Sequence, residues 1–140
     1  MQNITRLFDF PYYQLEHFNL PDALVTKYDN EWVKTSTQEY INKANALSRA
    51  LLNLGIQKND KIAIISSNNR TEWHISDVGI LQVGAQNIPI YPTISSEDYE
   101  YILNHSEAKY CFVSDQVVYD KLKEVQSRIP LLIDVYSFNE

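Results

Sequence analysis

From residue 61 onward, short apolar runs alternate with stretches whose apolar positions recur every three or four residues, the mark of strands and helices in turn. Lys61 to Ile65 is an apolar run bounded by polar residues, the pattern of a strand buried on both faces of a parallel sheet. Ser66 to Arg70 reads as the polar loop at its C-terminal end. Thr71 is placed to cap a helix through Trp73, Ile75, Val78, Ile80, Leu81 and Val83 to Gly84, and its near-continuous apolarity implies burial on more than one side. Gln86 to Ile90 forms the next strand, Tyr91-Pro92-Thr93 a turn, and Ser95 or Ser96 the cap of a helix carrying Tyr99, Ile102 and Leu103. Lys109 to Ser114 follows as a strand. Val118, Leu122, Val125 and Ile129 mark a last amphipathic helix before Pro130 and a strand over Leu131 to Val135. The alternation predicts an α/β fold built of parallel βαβ units, with helices flanking the sheet.

Before residue 61 the pattern differs. Phe8, Phe10, Tyr12, Tyr13 and Phe18 lie around Pro11 with no helical or strand period, so residues 1–22 read as an extended aromatic arm that packs on its own domain or on a partner subunit. Ala23 to Tyr28 and Glu31 to Thr35 are β-prone runs split by Asp29-Asn30, which suits a hairpin turn. Ser36 and Glu39 form a capping box ahead of Tyr40, Ala44, Leu47, Leu51 and Leu54, and that helix is expected to end at Gly55.

The 140 residues suffice for one domain, residues 23–140, after the arm. Apolar residues make up 44% and charged residues 21%, which excludes a disordered chain. With 12 basic against 18 acidic residues the net charge is −6, so nucleic acid is not an expected partner. The opening residues lack a secretory signal, and Val78 to Ser96, the longest uncharged stretch, is interrupted by Gln82, Gln86, Asn87, Pro89 and Pro92, so no transmembrane segment is expected. The one cysteine, Cys111, lies in an apolar run and reads as a buried thiol, which fits a reducing cytoplasm.

Candidate chemistry is sparse. The three glycines, Gly55, Gly79 and Gly84, form no phosphate-binding fingerprint and read as a cap, a close helix approach and a helix end. His17, His74 and His105 have no ligand spacing for zinc. Glu97, Asp98 and Glu100 sit in the first turn of a helix, where they complement its dipole. Arg70 with Glu72-Trp73 has a structural use. No metal site or catalytic residue is assigned. Tyr91-Pro92-Thr93 lies at the C-terminal end of a predicted parallel strand, where open α/β sheets place ligands.

Five blocks carry a resemblance: Asn59-Asp60-Lys61-Ile62-Ala63-Ile64, Asn68-Asn69-Arg70-Thr71-Glu72-Trp73, Gly84-Ala85, Pro89-Ile90-Tyr91-Pro92-Thr93 and Tyr101-Ile102-Leu103-Asn104. In order and spacing they resemble consecutive blocks of adenylate-forming, AMP-binding enzymes, and of long-chain fatty acid–CoA ligases in particular. The resemblance implies an N-terminal fragment of an enzyme that activates a fatty acid with ATP and Mg2+ to an acyl-adenylate and passes the acyl group to coenzyme A. It also implies that the phosphate loop, the adenylate-binding segment and the catalytic C-terminal domain lie downstream, so this chain alone is expected to be inactive. Tyr91, Pro92 and Thr93 would border the coenzyme A channel.

A homodimer through the N-terminal region and a cytoplasmic, membrane-peripheral location are further implications. The chain ends directly after a predicted strand, leaving one face of a parallel sheet uncovered, so truncation at 140 is expected. A stand-alone, non-catalytic α/β module and another branch of the superfamily, such as an aryl-CoA ligase or a peptide-synthetase adenylation domain, remain as alternatives.

Overall fold

A computed structural model describes residues 4–139. The chain divides into two compact units, Met1–Gln57 with Asn69–Gly84 and Lys58–Asn68 with Ala85–Glu140.

The first unit begins with a 3₁₀ turn, Leu7–Asp9, and a helix, α1 (Phe10–Phe18), where an extended arm was expected. Pro11 explains the difference: in the first turn of a helix its fixed φ is already helical and its missing N–H costs nothing. The scattered aromatic residues hid this helix because they do not segregate to one face. The segment packs within its own unit, where the Tyr12 hydroxyl donates to Asn45 Oδ1 (2.7 Å) and Gln82 Nε2 donates to Tyr12 Oη (2.6 Å).

The hairpin forms as expected from β1 (Leu24–Tyr28) and β2 (Glu31–Thr35), with Asp29 and Asn30 at φ of 45° and 69°, the positive values a type I′ turn requires. Ser36 closes its capping box with Glu39 at the start of α2 (Thr37–Asn53), and Gly55 beyond its end takes φ +81°. α3 (Thr71–Gln82) runs against α2, and a Cβ at Gly79 would stand 2.9 Å from Leu47 Cδ2 and 3.1 Å from the Ala44 carbonyl oxygen. Thr71 does not cap α3 as expected. Arg70 takes the N-cap position without a side-chain hydrogen bond, and the Thr71 N–H donates instead to Thr26 Oγ1 of β1 at 2.9 Å.

The second unit is a parallel sheet in the order β4-β3-β5-β6, formed by β3 (Lys61–Ile65), β4 (Gln86–Ile90), β5 (Ala108–Val113) and β6 (Asp134–Ser137). β3 and β5 are central and nearly all buried, whereas Pro89 lies in the edge strand β4, where a missing N–H is tolerated. β3 pairs with β4 from Lys61↔Gln86 to Ile65↔Ile90 and with β5 up to Ile65↔Val113, which brings the three strand ends level.

On one sheet face Cys111, Val113 and Val135 join Leu103 of α4 (Ser96–Ser106) and Val118 and Leu122 of α5 (Gln116–Lys123) in a buried cluster. On the other, Tyr110, Phe112, Tyr136 and Phe138 form a ladder of rings with centroids about 6 Å apart. The last helix is shorter than its apolar spacing implies. It ends at Lys123, a 3₁₀ turn covers Gln126–Arg128, and Val125 and Ile129 reach the core from outside the helix. The final strand begins at Asp134, not Leu131, and Leu131 and Ile133 are exposed.

Candidate functional site

The second unit places three loops at the C-terminal end of its sheet: Ser66 onward after β3, Tyr91 onward after β4, and Ser114-Asp115 after β5. This is the end at which open parallel sheets present ligands. Tyr91 is 79% exposed, Thr93 is exposed and Pro92 half-buried, so the turn offers an aromatic ring and a hydroxyl to solvent.

Its backbone is fastened from behind. Tyr99 of α4 is fully buried and donates its hydroxyl to the Pro92 carbonyl at 2.8 Å. Burial, with the Asp115 charge adding, pushes the Tyr99 phenol up to about 12, so it stays a donor at neutral pH. The Lys121 ammonium of α5 donates to the Ile94 carbonyl and stands 5.1 Å from the centroid of the Tyr99 ring. Beyond Ile94, Ser95 caps α4 in a box with Asp98, and hydrogen bonds from Ser95 hold the Asp98 carboxyl below its ordinary range.

The other two loops are joined by a carboxylate. Asp115 caps α5 by accepting the Val118 N–H at 3.0 Å, and its second oxygen accepts the hydroxyls of Ser114 (2.6 Å) and Ser67 (2.7 Å). The Ser67 N–H donates to Ser114 Oγ at 2.9 Å. Burial alone would raise the Asp115 pKa, but these hydrogen bonds outweigh it and hold the carboxyl below its ordinary value.

The remaining candidate residues are engaged within their own units or buried. His17 stacks on Tyr13, His74 stands edge-on to Trp73 and His105 stacks on Tyr101. Glu100 pairs with Arg128 at 2.7 Å. In the first unit Arg70, 8% exposed, grips Glu72 through Nε (2.8 Å) and Nη2 (3.0 Å), and the Tyr28 hydroxyl donates to the same carboxylate at 2.6 Å. Burial pushes the Cys111 thiol far up, which suits an inert core residue. Among the described residues no group of three His, Cys, Asp or Glu could hold a metal, and no helix is long and apolar enough to cross a membrane.

The turn at Tyr91, Pro92 and Thr93 follows directly on the C-terminal end of β4, where the sequence pattern put it. Sequence reading missed Lys121 and the Ser67–Ser114–Asp115 linkage. Both join residues more than 25 positions apart, and no local spacing announces such a contact.

A family model described as "AMP-binding enzyme" matches residues 16–139. The chain belongs to the AMP-binding enzyme family. Over 107 residues it is 35% identical to the long-chain-fatty-acid–CoA ligase FadD15 of Mycobacterium bovis, an alignment covering 76% of this chain and 18% of that protein. The long-chain-fatty-acid–CoA ligase ACSBG2 of Xenopus laevis is 28% identical over 118 residues, 84% of this chain and 16% of that one. Among solved structures, the long-chain-fatty-acid–CoA ligase FadD1 of Archaeoglobus fulgidus superposes with a TM-score of 0.82 at 19% identity, covering 97% of this chain and 28% of that one. That likeness shows the fold. The resemblance to long-chain fatty acid–CoA ligases read from the five sequence blocks therefore holds over most of the chain, and the chain spans less than a fifth of the length of these curated relatives.

Proposed function

We propose that this chain is the N-terminal part of a long-chain fatty acid–CoA ligase, with residues 23–140 contributing to its AMP-binding domain. In the full-length protein the fatty acid carboxylate attacks the α-phosphorus of ATP and pyrophosphate leaves. The thiol of coenzyme A then displaces AMP from the acyl-adenylate to give a thioester. Sequence identity to a long-chain-fatty-acid–CoA ligase over three-quarters of the chain carries this reading.

The described residues do not fit ATP with Mg2+: they offer neither a glycine-rich loop nor a carboxylate cluster for the metal. No step of adenylation is assigned to them. The turn at Tyr91, Pro92 and Thr93 does suit the pantetheine arm of coenzyme A, since an exposed ring can cover its apolar carbons and a hydroxyl can meet its amides. The aromatic N-terminal segment is the proposed homodimer contact, and a cytoplasmic enzyme that meets its acyl substrate at a membrane surface fits the same reading.

The test is thioester formation from coenzyme A, ATP and a panel of long-chain, aryl and amino acids. The full-length protein is expected to use the long-chain acids and the 140-residue chain none. Turnover by the isolated chain would overturn its assignment as scaffold, and preference for aryl or amino acids would move the protein to another branch of the family.

A further inference from the structure

We propose that Tyr99 and Lys121 are positioning residues that hold the Tyr91–Ile94 turn in its ligand-binding shape. The inference rests on the assignment of that turn to coenzyme A. One side of the turn is anchored by the pairing of Ile90 with Ile65, the other by the Ser95–Asp98 capping box. Between these anchors Tyr91 and Thr93 point their side chains to solvent, and the backbone is gripped at two carbonyls, Pro92 by the Tyr99 hydroxyl and Ile94 by the Lys121 ammonium.

The two grips form one device. The Tyr99 ring sits under the Lys121 ammonium, the Asp98 charge lies close enough to Lys121 to act on it, and the ring itself is locked in the core beside Leu103 and Cys111. A rigid aromatic on α4 and a cation from the last turn of α5 therefore transmit the order of the core to an exposed turn. A turn ordered before the ligand arrives avoids the entropy of ordering at binding. Loosening it charges that entropy to coenzyme A, which appears as a higher KM for that substrate while the chemical step is spared.

The experiment measures kcat and the KM values for coenzyme A and ATP in the full-length protein. Tyr99→Phe and Lys121→Met are each expected to raise the coenzyme A KM about fivefold, with kcat and the ATP KM within about twofold of the parent. The double variant is expected to fall short of the product of the two effects, because both grips serve one turn. Lys121→Arg, which keeps a cationic donor over the ring, is expected to restore most of the affinity.

Tyr91→Ala and Thr93→Ala separate this inference from the reading beneath it. If they raise the coenzyme A KM while Tyr99→Phe and Lys121→Met leave it unchanged, the turn binds coenzyme A and the positioning role is wrong. If none of the four moves it, the site assignment itself fails and the inference falls with it. A parallel loss in all kinetic constants with a lowered melting temperature would reduce Tyr99 and Lys121 to structural residues and overturn the proposal.

Discussion

The two units bury different chemistry. Of the eight buried polar or charged residues among those described, Thr26, Thr35, Thr37, Ser48, Arg70, Thr71 and Ser76 belong to the unit built of the hairpin and α1–α3, and Ser114 to the sheet unit. The hairpin is fastened by hydrogen bonds, Thr26 to Thr71 and Tyr28 to Glu72, whereas the sheet unit is held by a continuous apolar cluster under α4 and α5. Apolar burial gives more free energy per residue but little direction, while hydrogen bonds give less net stability and fix geometry. The sheet unit therefore packs an apolar core beneath the loops at its strand ends, and within the other unit the two-stranded ribbon is fixed to α3 by directed polar contacts.

Substitutions can break this contrast. Leu103→Ala, in the fully buried face of α4, is expected to cost about 3 kcal/mol in urea unfolding, the common range for a leucine truncated in a core. A loss under about 1 kcal/mol would mean that the sheet core collapses around the gap, contrary to tight packing. Arg70→Met is next. It strands the Glu72 carboxylate beside Tyr28, and because the Glu72 side chain keeps 31% of its exposure the cost is expected at about 2 kcal/mol, below that of a fully dry pair. Adding Glu72→Leu should recover much of the loss, and a double variant as unstable as the single would show that the ion pair itself stabilises the unit.

Thr26→Val keeps the shape of the side chain and removes the acceptor of the Thr71 N–H. About 1 kcal/mol is expected, with faster amide hydrogen exchange in the first turn of α3 as the local signature. Unchanged exchange there would show that the N-terminus of α3 is held without the hairpin.

The smallest effect is on pH dependence. Asp115 has a folded pKa below its ordinary value of 3.8, so its contribution is present above that value and is lost as pH falls through the lower folded one. Asp115→Asn is expected to flatten this part of the acid-unfolding curve. An unaltered curve would mean that the Ser67–Ser114–Asp115 linkage does not distinguish the ionised form.

Much of the fold was legible because its signals are local. Asp29-Asn30 names the hairpin turn, Ser36 with Glu39 names a helix start, and the runs Lys61–Ile65 and Gln86–Ile90 match the observed strands residue for residue. The failures came where local pattern and long-range contact disagree. Val125 and Ile129 continue the apolar spacing of α5, yet the backbone leaves the helix after Lys123 and both side chains still reach the core. Leu131 and Ile133 looked like strand residues, but β6 pairs with β5 from Tyr110↔Asp134 onward and leaves them exposed.

The order of strands and helices from the hairpin onward, the five blocks that resemble the AMP-binding family, and the turn at Tyr91 to Thr93 were all legible in the sequence itself. Periodicity and turn chemistry act over a few residues and leave their mark in the text. Tertiary structure alone decided that Thr26 would serve α3, that Tyr99 and Lys121 would grip the turn, and that Ser67, Ser114 and Asp115 would join two strand ends. These contacts depend on strand order, register and helix direction together, and a one-dimensional pattern holds no record of which distant side chains those choices bring within hydrogen-bond reach.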